Sequence, residues 1–239
     1  LGDFYEMFGD DAELAARLLQ ITLTSREGGD KRIPMCGVPY HSAEKYIADL
    51  IRQGYRVAIC EQVEDPKEAK GVVRREVVRV VTPGTVTEEA MLSARENNFL
   101  VAVCRKEEPH RALPDRLIPD VRVSYGLAAC DLSTGEFLCT QFGGEHATGL
   151  LRDELVRLNP SEILLDPSFV GSEAKEVLAL IKGVTRALVD TRDAVEFSLE
   201  EAKRRLLAHF GVESLAGFGC AALPLAVRAA GAVIAYLTE

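Results

Sequence analysis

The chain reads as an α/β protein built in two domains, and three observations predict it. At 239 residues it is long enough to bury two cores of ordinary size. Turn chemistry at Pro83-Gly84, followed by the polar Thr87-Glu88-Glu89 and Asn97-Asn98, interrupts the hydrophobic patterning near its middle. On both sides of that break, apolar residues spaced for strands alternate with apolar residues spaced for helices. The predicted division is a mixed-sheet α/β domain over 1–86, a linker over 87–96, and a second α/β domain over 97–239 that ends in a helix leading into missing chain.

In the first domain, Gly2-Asp3-Phe4-Tyr5-Glu6-Met7-Phe8 carries three aromatics in five positions, dense for a chain with 6% aromatic residues. Strand alternation places Phe4, Glu6 and Phe8 on one face and Tyr5 and Met7 on the other. Two readings stay open: the aromatics belong to the core, or Phe4 and Glu6 are used on the outside. Asp10 and Asp11 are placed to cap a helix whose Leu14/Leu18 and Ala15/Leu19 pairs fall at i, i+4. Ile21-Thr22-Leu23-Thr24 alternates as a strand with Arg26 at its exit, before an exposed loop rich in charge and glycine.

Ile33-Pro34-Met35-Cys36-Gly37-Val38-Pro39 reads as a shaped loop, because two prolines remove ladder donors and argue against a central strand. Ser42 is a candidate N-cap for a helix with Tyr46, Ile47, Leu50 and Ile51 inward, stopped by Gly54. Strands follow at Tyr55–Cys60 and Glu76–Thr82, separated by a polar segment carrying Lys67, Lys70, Arg74 and Arg75.

Thr87 is expected to cap a short helix at the start of the linker. Phe99–Cys104 then reads as a strand, Glu107–Pro119 as a surface loop, and Val121–Cys130 as a strand turning through Asp131-Leu132-Ser133-Thr134-Gly135 into Glu136–Phe142. Helices around His146–Leu158, Ser172–Lys182 and Leu199–Phe210 alternate with strands at Glu162–Leu165 and Val184–Val189. That order implies a largely parallel sheet after an initial hairpin. Leu223–Leu237, rich in alanine and apolar on most sides, predicts a helix whose partners lie in missing chain.

Composition narrows the function classes. No stretch approaches the ~18 apolar residues a membrane helix needs, no secretory signal is visible, and a cytoplasmic setting is expected. The six cysteines stand singly in apolar runs without a C-x-x-C pair and read as buried reduced thiols; the four histidines are equally scattered, so no metal is predicted. A net charge of −9 argues against a general polyanion binder. Residues 1–86 hold only −2 of it and residues 87–239 hold −7, so a nucleic-acid contact belongs to the first half and should be local.

Four motifs, Gly2-Asp3-Phe4-Tyr5-Glu6, Ile33–His41, Val57-Ala58-Ile59-Cys60-Glu61-Gln62 and Val81-Thr82-Pro83-Gly84-Thr85, resemble in order and spacing the N-terminal part of the bacterial MutS family of DNA mismatch-recognition proteins. The likeness continues, more weakly, through Asp131–Glu136. It implies that Phe4 is an aromatic wedge and Glu6 a carboxylate that hydrogen-bonds the displaced base, with Arg26, Met35 and Arg75 as candidates for backbone or groove contact. It implies mismatched double-stranded DNA as ligand, a ribonuclease H-like connector as second domain, docking of the partner MutL on that connector, and a homodimer for the whole protein. Members of the family carry an ATPase domain that uses ATP and Mg. No G-x-x-x-x-G-K-[ST] phosphate loop occurs here, so the chain is expected to be a non-enzymatic fragment without a cofactor of its own.

Two other patterns look chemical. Gly217-Phe218-Gly219-Cys220-Ala221-Ala222 fits a dinucleotide fingerprint but lies between two helices and reads as a turn. Asp131 and Asp166, each at a strand end, supply the alternative of a metal-dependent nuclease of ribonuclease H-like fold, for which several carboxylates must converge. The turn residues Ser133-Thr134-Gly135 favour a structural role for Asp131.

Overall fold

A computed structural model describes residues 3–28, 31–64, 73–88, 91–92, 96–109, 121–171 and 174–239. The chain forms two compact units, Leu1–Pro83 with Glu88–Leu92, and Gly84–Thr87 with Ser93–Glu239. The architecture is mixed α/β, as the patterning predicts.

In the first unit, β1 (Phe4–Phe8) leads directly into α1 (Gly9–Leu19), followed by β2 (Thr24–Gly28) and β3 (Lys31–Pro39). These strands form an antiparallel sheet in the order β1-β3-β2. The helix α1 opens without a side-chain cap, so Asp10 and Asp11 sit in its first turn and do not close it; there they complement the positive end of the helix dipole. Its buried face is Ala12, Ala15 and Ala16, packed with Cys36, Met7, Leu19 and Ile21, so the expected Ala15/Leu19 pair faces the core, while Leu14 and Leu18 are only half-buried.

The segment read as a loop, Ile33–Pro39, is the central strand, and the register explains how it tolerates two prolines. β2 pairs with residues 31–35 and β1 with residues 35–39, so only Met35 has a strand on both sides. The Tyr40 amide donates to the Asp3 carbonyl at 2.8 Å, so even-numbered residues of β3 aim their backbone groups at β1 and odd-numbered residues aim theirs the other way. Pro34 therefore faces a point beyond the end of β1, and Pro39 a point beyond the end of β2. Neither ring nitrogen removes a donor that the ladder uses. The preceding strand is also shifted from expectation. It begins at Thr24, so Arg26 lies in mid-strand opposite Ile33 and not at an exit.

After α2 (Ala43–Arg52) come β4 (Val57–Gln62) and β5 (Arg75–Val81), an antiparallel two-stranded ribbon. Ser42 makes no capping bond to α2; its hydroxyl donates to the Pro39 carbonyl at 3.3 Å. Of the four residues expected inward, Leu50 and Ile51 are buried and Tyr46 and Ile47 half-buried, and Gly54 takes a left-handed φ of 83° just past the helix. β4 alternates half-buried and exposed residues, which leaves Cys60 exposed rather than buried as expected; Cys139 is half-buried, and the other four thiols are buried. The expected roles of Lys67 and Lys70 lie outside the described residues, as do those of Glu89 and of most of the Glu107–Pro119 loop.

The second unit is a five-stranded sheet in the order β10-β9-β6-β7-β8. It is built from β6 (Phe99–Pro109), β7 (Val121–Asp131), β8 (Glu136–Gly143), β9 (Glu162–Leu165) and β10 (Leu188–Thr191). The hairpin strands pair antiparallel, and β6, β9 and β10 run parallel. β6 extends five residues past the expected Cys104, and β10 starts after rather than at Val184. The helices α3 (Ala147–Leu158) and α4 (Lys175–Val184) cover one face, with Leu151, Leu155 and Ile181 fully buried. The other face is covered by α5 (Leu199–Phe210) and α6 (Pro224–Leu237).

The expectation that α6 needs partners from missing chain does not hold, since the unit's own sheet and α5 bury it. Two glycines make this possible. A Cβ on Gly126 of β7 would sit 2.1 Å from the Leu225 carbonyl oxygen, and one on Gly231 of α6 would sit 2.2 Å from the Ala202 Cβ. The Gly217–Ala222 pattern is indeed a helix-to-helix turn, with a short 3-10 segment at Ala216–Phe218 and Gly219 at φ 73°. Among the described residues no helix is long and apolar enough to cross a membrane.

Candidate nucleic-acid interface

Directly opposed residues of an antiparallel pair share a face, so the registers define the two faces of the first unit's sheet. Tyr5, Met7, Cys36 and Val38 point toward the side that α1 covers, where Cys36 and Val38 are buried. Phe4, Glu6 and Phe8 of β1, Ile33, Met35, Gly37 and Pro39 of β3, and Thr24 and Arg26 of β2 share the opposite face. No other described layer of this unit covers Phe4 on that face. Phe4 is 59% exposed, Phe8 43% and Ile33 41%, while Met35 is half-buried between its two neighbouring strands.

The core reading of the aromatic stretch is thereby split by parity. Tyr5 and Met7 take the inner side, and the phenylalanines stand outside. An exposed Phe gains little from folding, since burying such a ring is worth roughly 1.5–3 kcal/mol by transfer. Its placement here is not explained by stability. The Glu6 side chain has no hydrogen bond or ion pair with another described residue, and neither has the Arg26 side chain. The face therefore presents an aromatic ring, a carboxylate and a guanidinium that no other described residue engages.

Behind Phe4 the strand is braced. The Tyr5 ring stacks on Tyr40, with centroids 5.5 Å apart, and its hydroxyl donates to the Glu61 carboxylate on β4. That hydrogen bond, helped by burial and the carboxylate's charge, raises the Tyr5 pKa to about 12. The phenol thus stays a donor throughout the physiological range and holds β1 at the residue beside the exposed ring.

Four of the five residues named from sequence, Phe4, Glu6, Arg26 and Met35, lie on this one face. Arg75 does not join them. It begins β5, is paired with Gln62, and donates to the Val73 carbonyl at 3.4 Å. Alternation sets it on the ribbon face opposite that of Glu61. Phe8 and Ile33 belong to the face and were not singled out as site residues; the same even-number parity that pairs Phe4 with Glu6 includes Phe8.

The carboxylates of the second unit are used internally. Asp131 is fully buried and accepts from the Ser133 amide at 2.9 Å, the Ser133 hydroxyl at 2.6 Å and the Asn98 amide at 3.1 Å. Burial alone would raise its pKa, but the Ser133 and Asn98 hydrogen bonds outweigh it and hold the carboxyl below its ordinary value. Asp166 caps the 3-10 turn Pro167–Phe169 and pairs with Arg228 at 3.3 Å, yet burial pushes its pKa up.

Asp131 lies opposite Phe99, whereas the Asp166 amide bonds the Val103 carbonyl, four residues further along β6. At about 3.3 Å per residue the two carboxylates are roughly 13 Å apart along the strand. They do not converge, and no group of three or more His, Cys, Asp or Glu side chains poised for a metal occurs among the described residues. The nuclease alternative draws no support from this geometry.

Family models described as MutS domain I and MutS domain II match residues 1–90 and 98–239. The chain is 46% identical over 241 residues to the DNA mismatch repair protein MutS of Symbiobacterium thermophilum, covering 100% of this chain and 26% of that protein. It is 46% identical over 242 residues to the protein of the same name from Pelotomaculum thermopropionicum, with the same coverages. The counterpart from Methanosarcina acetivorans is 44% identical over 239 residues, 99% of this chain and 26% of that protein. The chain thus spans about a quarter of the length of these relatives.

Proposed function

This chain belongs to the MutS family, and from that premise we propose that its first domain recognises mispaired DNA through the outer face of β1 and β3. The observation that supports this reading most is the exposed Phe4 beside a Glu6 whose side chain has no partner among the described residues, on a sheet face that also carries Met35 and Arg26.

Phe4 acts as the wedge. Inserting an apolar ring at a base step costs a few kcal/mol of unstacking and kinks the duplex, and a mispaired step, already weakly stacked, opens at lower cost. Discrimination then comes from deformability rather than from reading a sequence. Glu6 accepts a hydrogen bond from the displaced base, and its negative charge penalises approach to a duplex that offers no such donor. Arg26 and Met35 contact the backbone and groove alongside; Arg75 contacts the backbone from the ribbon. The modest net charge of the first half suits a local contact of this kind.

The second domain serves as the connector, with a ribonuclease H-like topology, the net charge of −7 over residues 87–239 suiting a protein-facing role in docking MutL. The boundary between the two domains is placed in residues 87–96. ATP and magnesium use, and homodimer formation, belong to the whole cytoplasmic protein; this chain, which has no phosphate-loop motif, is a binding module and not itself an enzyme.

The test is titration of mismatched and matched duplexes at one salt concentration, using the intact protein and its Phe4→Ala and Glu6→Ala variants. Phe4→Ala should weaken mismatch binding by about 1–3 kcal/mol, the scale of one base–aromatic stack, and change matched binding less. Glu6→Ala should raise matched binding while mismatch binding falls. Unchanged discrimination in Phe4→Ala would refute the wedge.

A further inference from the structure

Val103 and Leu165 are the last residues at which the parallel strands β6 and β9 pair, and just past those carboxyl ends the second unit holds a cavity of about 430 Å³. β6 is the strand from which the sheet grows both ways, to β7 and β8 on one side and to β9 and β10 on the other. Open α/β sheets take their ligands at such a reversal of strand order, outside the carboxyl ends. Lys106 of β6, Ser124 of β7 and Gln141 of β8 line the cavity from the sheet, and Ser198 ahead of α5 and Arg228 of α6 line it from the helical layer.

Each of these side chains can donate a hydrogen bond. Two are cations, two are hydroxyls and one is an amide, and no carboxylate lines the cavity, although residues 87–239 carry a net charge of −7. Two of the donors are fixed in advance. Arg228 donates from Nε to the Phe197 carbonyl at 2.7 Å and from Nη2 to the Asp166 carboxylate at 3.3 Å, which leaves Nη1 as the nitrogen that no other described residue engages. The oxygen of the Gln141 side chain accepts from the Leu225 amide at 2.9 Å, so its nitrogen is what remains to offer. That bond satisfies the start of α6 within the fold, and the attraction comes from side chains. Phe197, Leu199 and Leu225 give the same cavity an apolar wall.

We propose that this cavity binds a phosphate monoester with an apolar body, its oxyanion held by Arg228, Gln141 and Ser198 and its body laid against Leu199 and Leu225. Donors from separate elements approach from more than one side, which suits a tetrahedral head with three free oxygens better than a planar carboxylate. A guanidinium already held on two of its nitrogens loses little freedom on meeting the anion, and hydrogen bonds between ionised partners are the strong ones. The volume falls within the ~300–1,000 Å³ of small-molecule sites. The site is separate from the sheet face of the first unit and does not depend on the wedge reading.

The experiment titrates the 239-residue chain, whose second unit buries its own helices, with phenyl phosphate, inorganic phosphate, benzoate and benzyl alcohol at constant ionic strength, followed by NMR. Phenyl phosphate should bind saturably and move the backbone amides of Leu199 and Leu225 and the side-chain amide of Gln141. Inorganic phosphate should move the same signals but bind about tenfold more weakly, the scale of leaving out a partly buried ring. Arg228→Gln should abolish binding, and Lys106→Gln and Ser198→Ala should each weaken it while melting near the parent. Should Arg228→Gln melt early, because it leaves the buried Asp166 without its cation, the other two variants decide. Benzyl alcohol binding as tightly as phenyl phosphate would reduce the cavity to an apolar cleft and sink the proposal, and benzoate binding as tightly would overturn the choice of phosphate. Shifts that do not saturate, or that spread over exposed lysines and arginines elsewhere, would overturn the site.

Discussion

The sheets of the two units are built from the same residue types and treat them in opposite ways. In the second unit Phe169 and Phe197, packed against the sheet, and Glu162 within it are enclosed. Phe169 and Phe197 are 1% exposed, and the carboxylate of Glu162, fully buried, accepts from the Tyr236 hydroxyl at 2.7 Å and the Gly84 amide at 3.0 Å. In the first unit Phe4 stands out from the sheet and Glu6 has no partner among the described residues. A buried group is placed by what surrounds it, whereas an exposed ring and a lone carboxylate on a strand gain nothing from their own fold. The first arrangement makes a domain stable; the second leaves it something to bind with.

The sharpest way to break that contrast is to truncate one phenylalanine on each side. Phe197→Ala should cost the second unit about 3–5 kcal/mol, since a buried ring leaves a cavity that the packing of α5 and α6 cannot fully close. Phe4→Ala should move the melt by no more than about 0.5 kcal/mol, the range for surface sites. Melting curves of both variants of this chain test the pair. A Phe4→Ala protein that melts as low as Phe197→Ala would return Phe4 to the core. The carboxylates give the next contrast: Glu162→Ala removes the acceptor that the half-buried Tyr236 hydroxyl and the buried Gly84 amide share and should cost about 1–3 kcal/mol, while Glu6→Ala should be near neutral.

Much of this contrast can be read in the sequence, for a reason particular residues make plain. Alternation separates Phe4, Glu6 and Phe8 from Tyr5 and Met7, because a strand has period two wherever it lies. Helix α5 spans Leu199–Phe210 as its spacing indicates, with Ser198 ahead of it and Gly211 in the left-handed region after it. Pro34 and Pro39 mislead because proline reports a missing donor and not how many neighbours the strand has; β3 is central yet has one neighbour at each proline. Partners of α6 are invisible for a similar reason. Gly126 and Gly231 mark close approach only once the elements they separate are known. Arg75 attracts notice by its charge, and charge says nothing about which face a ribbon turns outward.

The smallest effect concerns the brace behind the wedge and is read by pH. Tyr5 donates to Glu61, chiefly for that reason its pKa is raised from 10 to about 12, and the protonated phenol is the form the folded state prefers. The stabilisation is therefore fully present below pH 10, is lost progressively as the pH rises through about 12, and leaves no trace in the neutral range. Tyr5→Phe deletes the donor while keeping the ring that stacks on Tyr40. The parent should then lose stability between pH 10 and 12 more steeply than Tyr5→Phe, and the two curves should converge at the alkaline end. Denaturant midpoints at several pH values in that window would show it. Parallel curves would mean that the phenol is not held by Glu61 in the folded chain, and that β1 carries its exposed ring without this support from behind.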